Sequence, residues 1–151
     1  MVRTSVTDPL RIAAVKPDLL QGRIGITLCP GKKDPQGGWD RDLDIDLDCV
    51  QRWGAAAVVT LLEDSELRSL QVTSLGDAVR YRQMDWIHMP IKDVSVPGAT
   101  FEREWEVVGE GLRAASGPAL TYLFIAGVVL DAVGWLKYNF LFPELGNSRK
   151  P

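Results

Sequence analysis

Two cysteines, a single histidine and five alternating aspartates are the groups in this chain with chemistry beyond packing. Cys29 precedes Pro30-Gly31-Lys32-Lys33, which places a thiol beside a glycine turn and two cations. Nearby positive charge and backbone N–H groups lower a thiol's pKa and make it a nucleophile. The turn lacks the Gly-x-x-x-x-Gly-Lys-Ser/Thr spacing that cradles phosphates, so no nucleotide site is expected. Cys29 is expected as a buried thiol at a strand end. Lys32 and Lys33 are expected as a solvated turn, in preference to an anion contact. Asp40, Asp42, Asp44, Asp46 and Asp48 superficially resemble a calcium loop. Counting from Asp40, Ile45 stands where that loop needs Gly and Gln51 where it needs Glu, so calcium is not expected. His88 is the sole histidine, which rules out multi-histidine zinc sites. No metal and no cofactor is expected.

The elements that position these groups follow from the apolar pattern. Gly22 to Cys29 alternates Ile24, Ile26 and Leu28, a short strand. Pro30 to Gly38 is dense in turn formers. Trp39 to Gly54 looks like a strand by the period-two spacing of its aspartates. A helix fits better, because Leu43, Leu47 and Val50 fall at i, i+4 and i+7. In that helix Asp40 is the expected cap, Asp42 and Asp44 lie in the first turn, and Gly54 closes the end. Ala55 to Leu62 is a continuous apolar run, as in a buried parallel strand. Short helices are expected over Ser65–Leu70 and Leu75–Gln83, then a strand from Met84 to Met89 that Pro90 ends. Thr100 to Ala115 is the clearest helix, capped by Thr100 and striped by Phe101, Trp105, Val108 and Leu112. Strands alternating with helices predict an α/β domain with a parallel sheet.

Bulk properties narrow the class further. A chain of 151 residues fits one domain with a real core. Its 46% hydrophobic and 25% charged content is that of an ordinary globular protein. A net charge of -3 offers no basic footprint, so nucleic acid is not an expected partner. Two separated cysteines are expected as free thiols in a reducing compartment, and a cytoplasmic location follows. Residues 1–21 show no signal-peptide pattern and read as a loosely ordered lead-in, with 22–117 as the α/β domain and 118–151 as an apolar tail. The tail carries Asp131 near the middle of its apolar stretch, and a central Asp costs about 2.5 to 3.5 kcal/mol on insertion. The uncharged run Leu120 to Leu130 is too short to span, so a core-packed segment is expected and a membrane span is not.

Three segments, in order, carry a family likeness: Gly25-Ile-Thr-Leu-Cys-Pro-Gly-Lys32, Trp53-Gly-Ala-Ala-Ala-Val-Val-Thr-Leu-Leu-Glu63 and His88-Met-Pro-Ile-Lys-Asp-Val-Ser-Val-Pro97. Together they resemble the dual-specificity phosphatases of the cyclin-dependent kinase-associated type, from Gly22 to about Ala115. The resemblance implies a parallel-sheet cysteine-phosphatase fold acting on phosphate monoesters, with a phosphoprotein or other phosphate-bearing ligand as partner. Such hydrolysis needs a thiolate activated by a helix N-terminus, an arginine that grips the phosphoryl oxygens, and a carboxylic acid that protonates the leaving oxygen. The third segment matches the family's Pro-Ile-x-Asp-x-x-x-Pro loop, which assigns the acid role to Asp93. A loop aspartate in an Asx-turn before Pro97 is the other reading of that residue.

The family then places a strand, a His-Cys pair, five loop residues and an arginine. Here Tyr122 to Ile125 can supply the strand, but Ala126-Gly127 stand where the nucleophile belongs. No cysteine follows Cys49, and the positions six residues after Cys29 and Cys49 hold Pro35 and Ala55. The expectation is a phosphatase-like domain truncated on its C-terminal side and catalytically dead, with an interrupted or frameshifted gene as the cause of the abrupt departure. An interaction module docking through a sheet edge and the apolar tail, on a partner or a second copy, is the alternative. Weak turnover by another route ranks last.

Overall fold

The computed structural model describes residues 1–15, 23–90, 103 and 122–125. Eight strands and three helices follow the chain: β1 (Arg3–Thr4), β2 (Ala13–Val15), β3 (Ile24–Thr27), β4 (Lys33–Asp34), β5 (Trp39–Asp40), α1 (Leu43–Trp53), β6 (Ala57–Thr60), α2 (Asp64–Ser69), α3 (Leu75–Tyr81), β7 (Asp85–His88) and β8 (Tyr122–Ile125).

The main sheet has the order β2-β3-β8-β6-β7. β3, β8, β6 and β7 run parallel, and β2 pairs antiparallel with β3 along one side. The expected parallel sheet is therefore present, and the strand latest in sequence is its centre. Ile24 to Thr27 pair with Tyr122 to Ile125, which pair in turn with Ala57 to Thr60. The apolar run at β6 is buried at all four positions, as a central strand covered on both faces requires. Leu123, Phe124 and Ile125 have no exposed surface.

Helix α1 begins two residues later than the sequence pattern suggests. Asp42, not Asp40, is the cap, and its side chain accepts from the Ile45 N–H at 2.9 Å. Asp40 instead lies in β5, where its carboxylate meets Lys33 Nζ at 2.7 Å. Gly54 ends the helix at φ +97°, a left-handed conformation that costs glycine nothing. Leu47 and Val50 bury the inner face against the sheet-side core of Val58, Leu75, Val79 and Leu123. Helix α2 starts with a capping box between Glu63 and Glu66, so Glu63 caps it.

The lead-in over residues 1–21 reads as loosely ordered, but in its described part, 1–15, two stretches are built into sheets. β1 pairs parallel with β5, which pairs with β4 to make a small three-stranded sheet. Ser5 accepts from the Asp42 N–H at 2.8 Å, tying this segment to the start of α1. β8 lies beyond residue 117, so the sheet also draws on the stretch read as an apolar tail. Of the helix expected over Thr100–Ala115, only Arg103 is described, and it is helical. No helix among the described residues is long and apolar enough to cross a membrane.

Candidate functional site

In open parallel sheets, ligands bind at the carboxyl ends of the strands. Here that edge is lined by the ends of β3, β8, β6 and β7. The pairing of β6 with β8 continues past the strands, with the Leu61 N–H donating to the Ile125 carbonyl at 3.0 Å. On the outer side the Met89 N–H donates to the Thr60 carbonyl at 2.9 Å.

Cys29 lies two residues beyond β3 and is buried, with 3% of its surface exposed. Its Sγ–H points to the Pro30 carbonyl at 3.6 Å. Burial pushes its pKa from 9.0 up to about 12; the Lys32 cation pulls down, while the Asp46 and Glu66 carboxylates push up further. At neutral pH this thiol holds its proton, so the expected buried strand-end cysteine is what the structure contains. Cys49, half-buried on α1, directs its thiol to the Leu10 carbonyl at 3.7 Å. Both cysteines are free.

The turn after Cys29 is fixed from behind by a buried ion pair. Arg41 directs Nε and Nη2 at the two carboxylate oxygens of Asp46, at 2.9 and 3.0 Å. The Gly31 N–H takes a second bond to Asp46 Oδ2 at 2.9 Å. Gly31 has φ +73°, and a Cβ there would lie 2.7 Å from Leu43 Cβ. Both partners are essentially fully buried. This arginine is committed to a carboxylate and is not offered to a ligand. Sequence reasoning missed the pair. The signal was present, since Asp46 shares the helix face of Leu43, Leu47 and Val50, and a carboxylate on that face demands a partner.

Each aspartate of the alternating run has its own structural use. Asp40 holds Lys33, Asp42 caps α1 and Asp46 holds Arg41. Asp44 and Asp48 together bracket Arg82 at 3.1 and 3.2 Å, joining α1 to the end of α3. Among the described residues no group of three or more His, Cys, Asp or Glu side chains converges on a metal position. Lys32 places its ammonium 4.8 Å from the Trp39 ring centre, and Lys33 also donates to the Arg41 carbonyl at 3.2 Å.

His88, at the end of β7, meets the Leu62 carbonyl through Nε2 at 2.6 Å. A carbonyl only accepts, so Nε2 carries the proton and Nδ1 faces Asp64 at 3.8 Å. The ring stacks on Trp86 with centroids 5.2 Å apart, and the Trp86 indole N–H donates to Thr60 Oγ1 at 2.8 Å. These bonds lock the outer two strands together at the carboxyl edge, directly before the segment that holds Asp93. Asp93 itself, and Ala126-Gly127, lie outside the described residues.

No protein-family model matches the chain, and no curated protein matches it. Solved structures do. Kinase associated phosphatase, crystallised with its catalytic-site cysteine replaced by serine, superimposes with a TM-score of 0.74 at 18% identity, covering 95% of this chain and 79% of that one. A mutant form of Tk-PTP superimposes with a TM-score of 0.50 at 22% identity, covering 91% of this chain and 83% of that one. The order of the central strands, the helices between them and these superpositions agree: the chain has the mixed α/β fold of the dual-specificity and tyrosine-phosphatase-like proteins.

Proposed function

We propose that this chain is a phosphatase-like protein that does not hydrolyse phosphate monoesters. One observation carries this reading: no cysteine follows Cys49, so the central strand β8 leads into Ala126-Gly127, which offer neither thiolate nor guanidinium. Covalent catalysis at this edge requires an ionised thiol, and the one cysteine near it, Cys29, is held protonated by burial. The buried arginine near it, Arg41, is already neutralised by Asp46. Asp93 keeps the place of the family's acid, but an acid has no leaving group to protonate without a nucleophile. What remains to such a sheet is recognition of a phosphate-bearing partner, a phosphoprotein by resemblance, in the cytoplasm.

The experiment is hydrolysis of a small aryl phosphate by the purified chain beside Asp93→Asn. No turnover from either is expected. Turnover that falls in Asp93→Asn would mean that a nucleophile exists, and the reading would be wrong.

A second reading, an interaction module, is favoured by one feature of the topology. β7 is an edge strand of the main sheet among the described residues, the position from which a sheet can add a further strand. Docking of a partner or a second copy there, or through the apolar tail, predicts a native mass above that of the monomer in sedimentation equilibrium. A monomer at micromolar concentration would remove self-association from consideration.

A further inference from the structure

The absent nucleophile has a readable origin in the codons of this chain, an inference that rests on the phosphatase-like reading above. β8 is paired on both sides over all four of its residues, and Ile125 ends it at the carboxyl edge of four parallel strands. The thiolate missing from the chain belongs directly after that strand. Consider, then, the codons made from the last base of each residue's codon and the first two of the next. At the Ile125–Ala126 junction these read TGC, CGC or AGC, giving cysteine if Ile125 is encoded by ATT. At Asp131–Ala132 they read CGC or TGC, giving arginine if Asp131 is GAC. The two junctions are six codons apart, the separation of a Cys-x-x-x-x-x-Arg loop.

The junctions around them fit the same element. Phe124–Ile125 gives histidine or tyrosine. Thr121–Tyr122 can give only leucine, isoleucine or valine, and Leu123–Phe124 only phenylalanine, leucine, isoleucine or valine. A strand is therefore written in both frames at the same place. Between the cysteine and arginine positions, Gly127–Val128, Val128–Val129 and Leu130–Asp131 each admit glycine, the residue that lets a backbone close around a phosphate. The remaining frame admits no cysteine with an arginine six codons later anywhere in residues 118–151, whatever codons are used.

We infer that the residues following about Ser116 are the out-of-frame translation of a strand, His-Cys and arginine loop, so that the same DNA one frame away encodes a phosphate-monoester site on this sheet. The strand β8 is retained because a T in the middle codon position writes apolar residues. Upstream, the segments through Ala115 keep their likeness in the present frame, which places the frame change between Ser116 and Thr121.

Sequencing the genomic DNA that encodes this chain tests the inference base by base. The expected codons are TTC for Phe124, ATT for Ile125, GGG for Gly127, GTG for Val128, a G-ending codon for Leu130, GAC for Asp131 and TAC for Tyr138, with the shifted frame open throughout. ATC or ATA at Ile125, GAT at Asp131, or a stop in the shifted frame between Thr121 and Asn139 would overturn it. Those outcomes leave the proposed lack of turnover untouched, whereas turnover by the present chain would defeat that proposal whatever the codons are.

Discussion

Arg41 and Asp46 face each other through two parallel hydrogen bonds with almost no surface on either side chain. They are five residues apart, one just before α1 and one in its first turn, and together they set the turn that carries Cys29 to Lys33. A buried pair of this kind is costly to break from one side, because the survivor is an unpaired charge away from water. Arg41→Met is expected to lower stability by about 3 to 5 kcal/mol. Removing both charges, in Arg41→Met with Asp46→Leu, is expected to recover much of that loss. Urea unfolding reads this as a lower midpoint at unchanged slope for the single variant and a partial return for the double. A single variant within 1 kcal/mol of the parent would mean the pair does not fix the turn.

The Cys29 thiol gives a prediction on the alkaline side. Its pKa is about 12 in the fold against an ordinary 9.0. The folded state therefore keeps a proton that the unfolded chain releases in that interval. The stabilisation is complete below pH 9 and is lost as pH rises toward 12, on the order of 4 kcal/mol. Lysine and tyrosine titrate there too, so the measurement is the difference in slope between the parent and Cys29→Ala. The parent should lose stability faster from pH 9 upward. At neutral pH a disulfide-exchange reagent should label Cys49 ahead of Cys29, with Cys29 reacting only on unfolding. Equal slopes, or prompt labelling of Cys29, would contradict its burial.

Much of this frame was legible because it rests on local patterns. The run at Ala55–Leu62 reads as a central strand since both faces of β6 are covered, and Gly54 marks the end of α1 because the residue that closes this helix takes a positive φ. Tyr122–Ile125 is recognisable as a strand for the same reason as β6. What escaped is what depends on distant partners. Asp40 has the chemistry of a cap, but pairing of β5 with Arg3–Thr4 and with Lys33–Asp34 takes it into a sheet and hands the cap to Asp42. Residues 13–15 gave no strand signal, since Ala13 and Ala14 are exposed and are held by their antiparallel partners in β3. At the site, counting cysteines shows that none follows Cys49. The Arg41–Asp46 clamp behind Cys29 could not be read without noticing which face of the helix Asp46 occupies.

β8 should be indispensable to the sheet. Phe124 has no exposed surface and its strand separates β3 from β6 over their whole paired length. Phe124→Ala is expected to cost about 3 to 5 kcal/mol through lost burial and the cavity left behind. The loss should appear as an earlier thermal and urea transition with the same cooperativity. If Phe124→Ala unfolds with the parent, β8 is not the centre of the sheet, and the proposed site at its carboxyl end fails with it.

Two glycines separate backbone strain from steric overlap. Gly54 and Gly31 both have positive φ, +97° and +73°. A Cβ at Gly54 has only Arg23 Nη2 within reach, at 3.8 Å. A Cβ at Gly31 would stand 2.7 Å from Leu43 Cβ and 2.9 Å from Leu43 Cα, and the latter is backbone at the start of α1 that cannot swing aside. Gly54→Ala should therefore cost about 1 to 2 kcal/mol, the left-handed penalty alone. Gly31→Ala should cost that plus about 1 to 3 kcal/mol of overpacking, because the turn must move away from α1 and stretch the Gly31–Asp46 bond. The check is the difference between the two variants in denaturant midpoints. Equal losses would mean that the turn gives way freely, and that the Arg41–Asp46 clamp does not hold Cys29 and Gly31 against the helix.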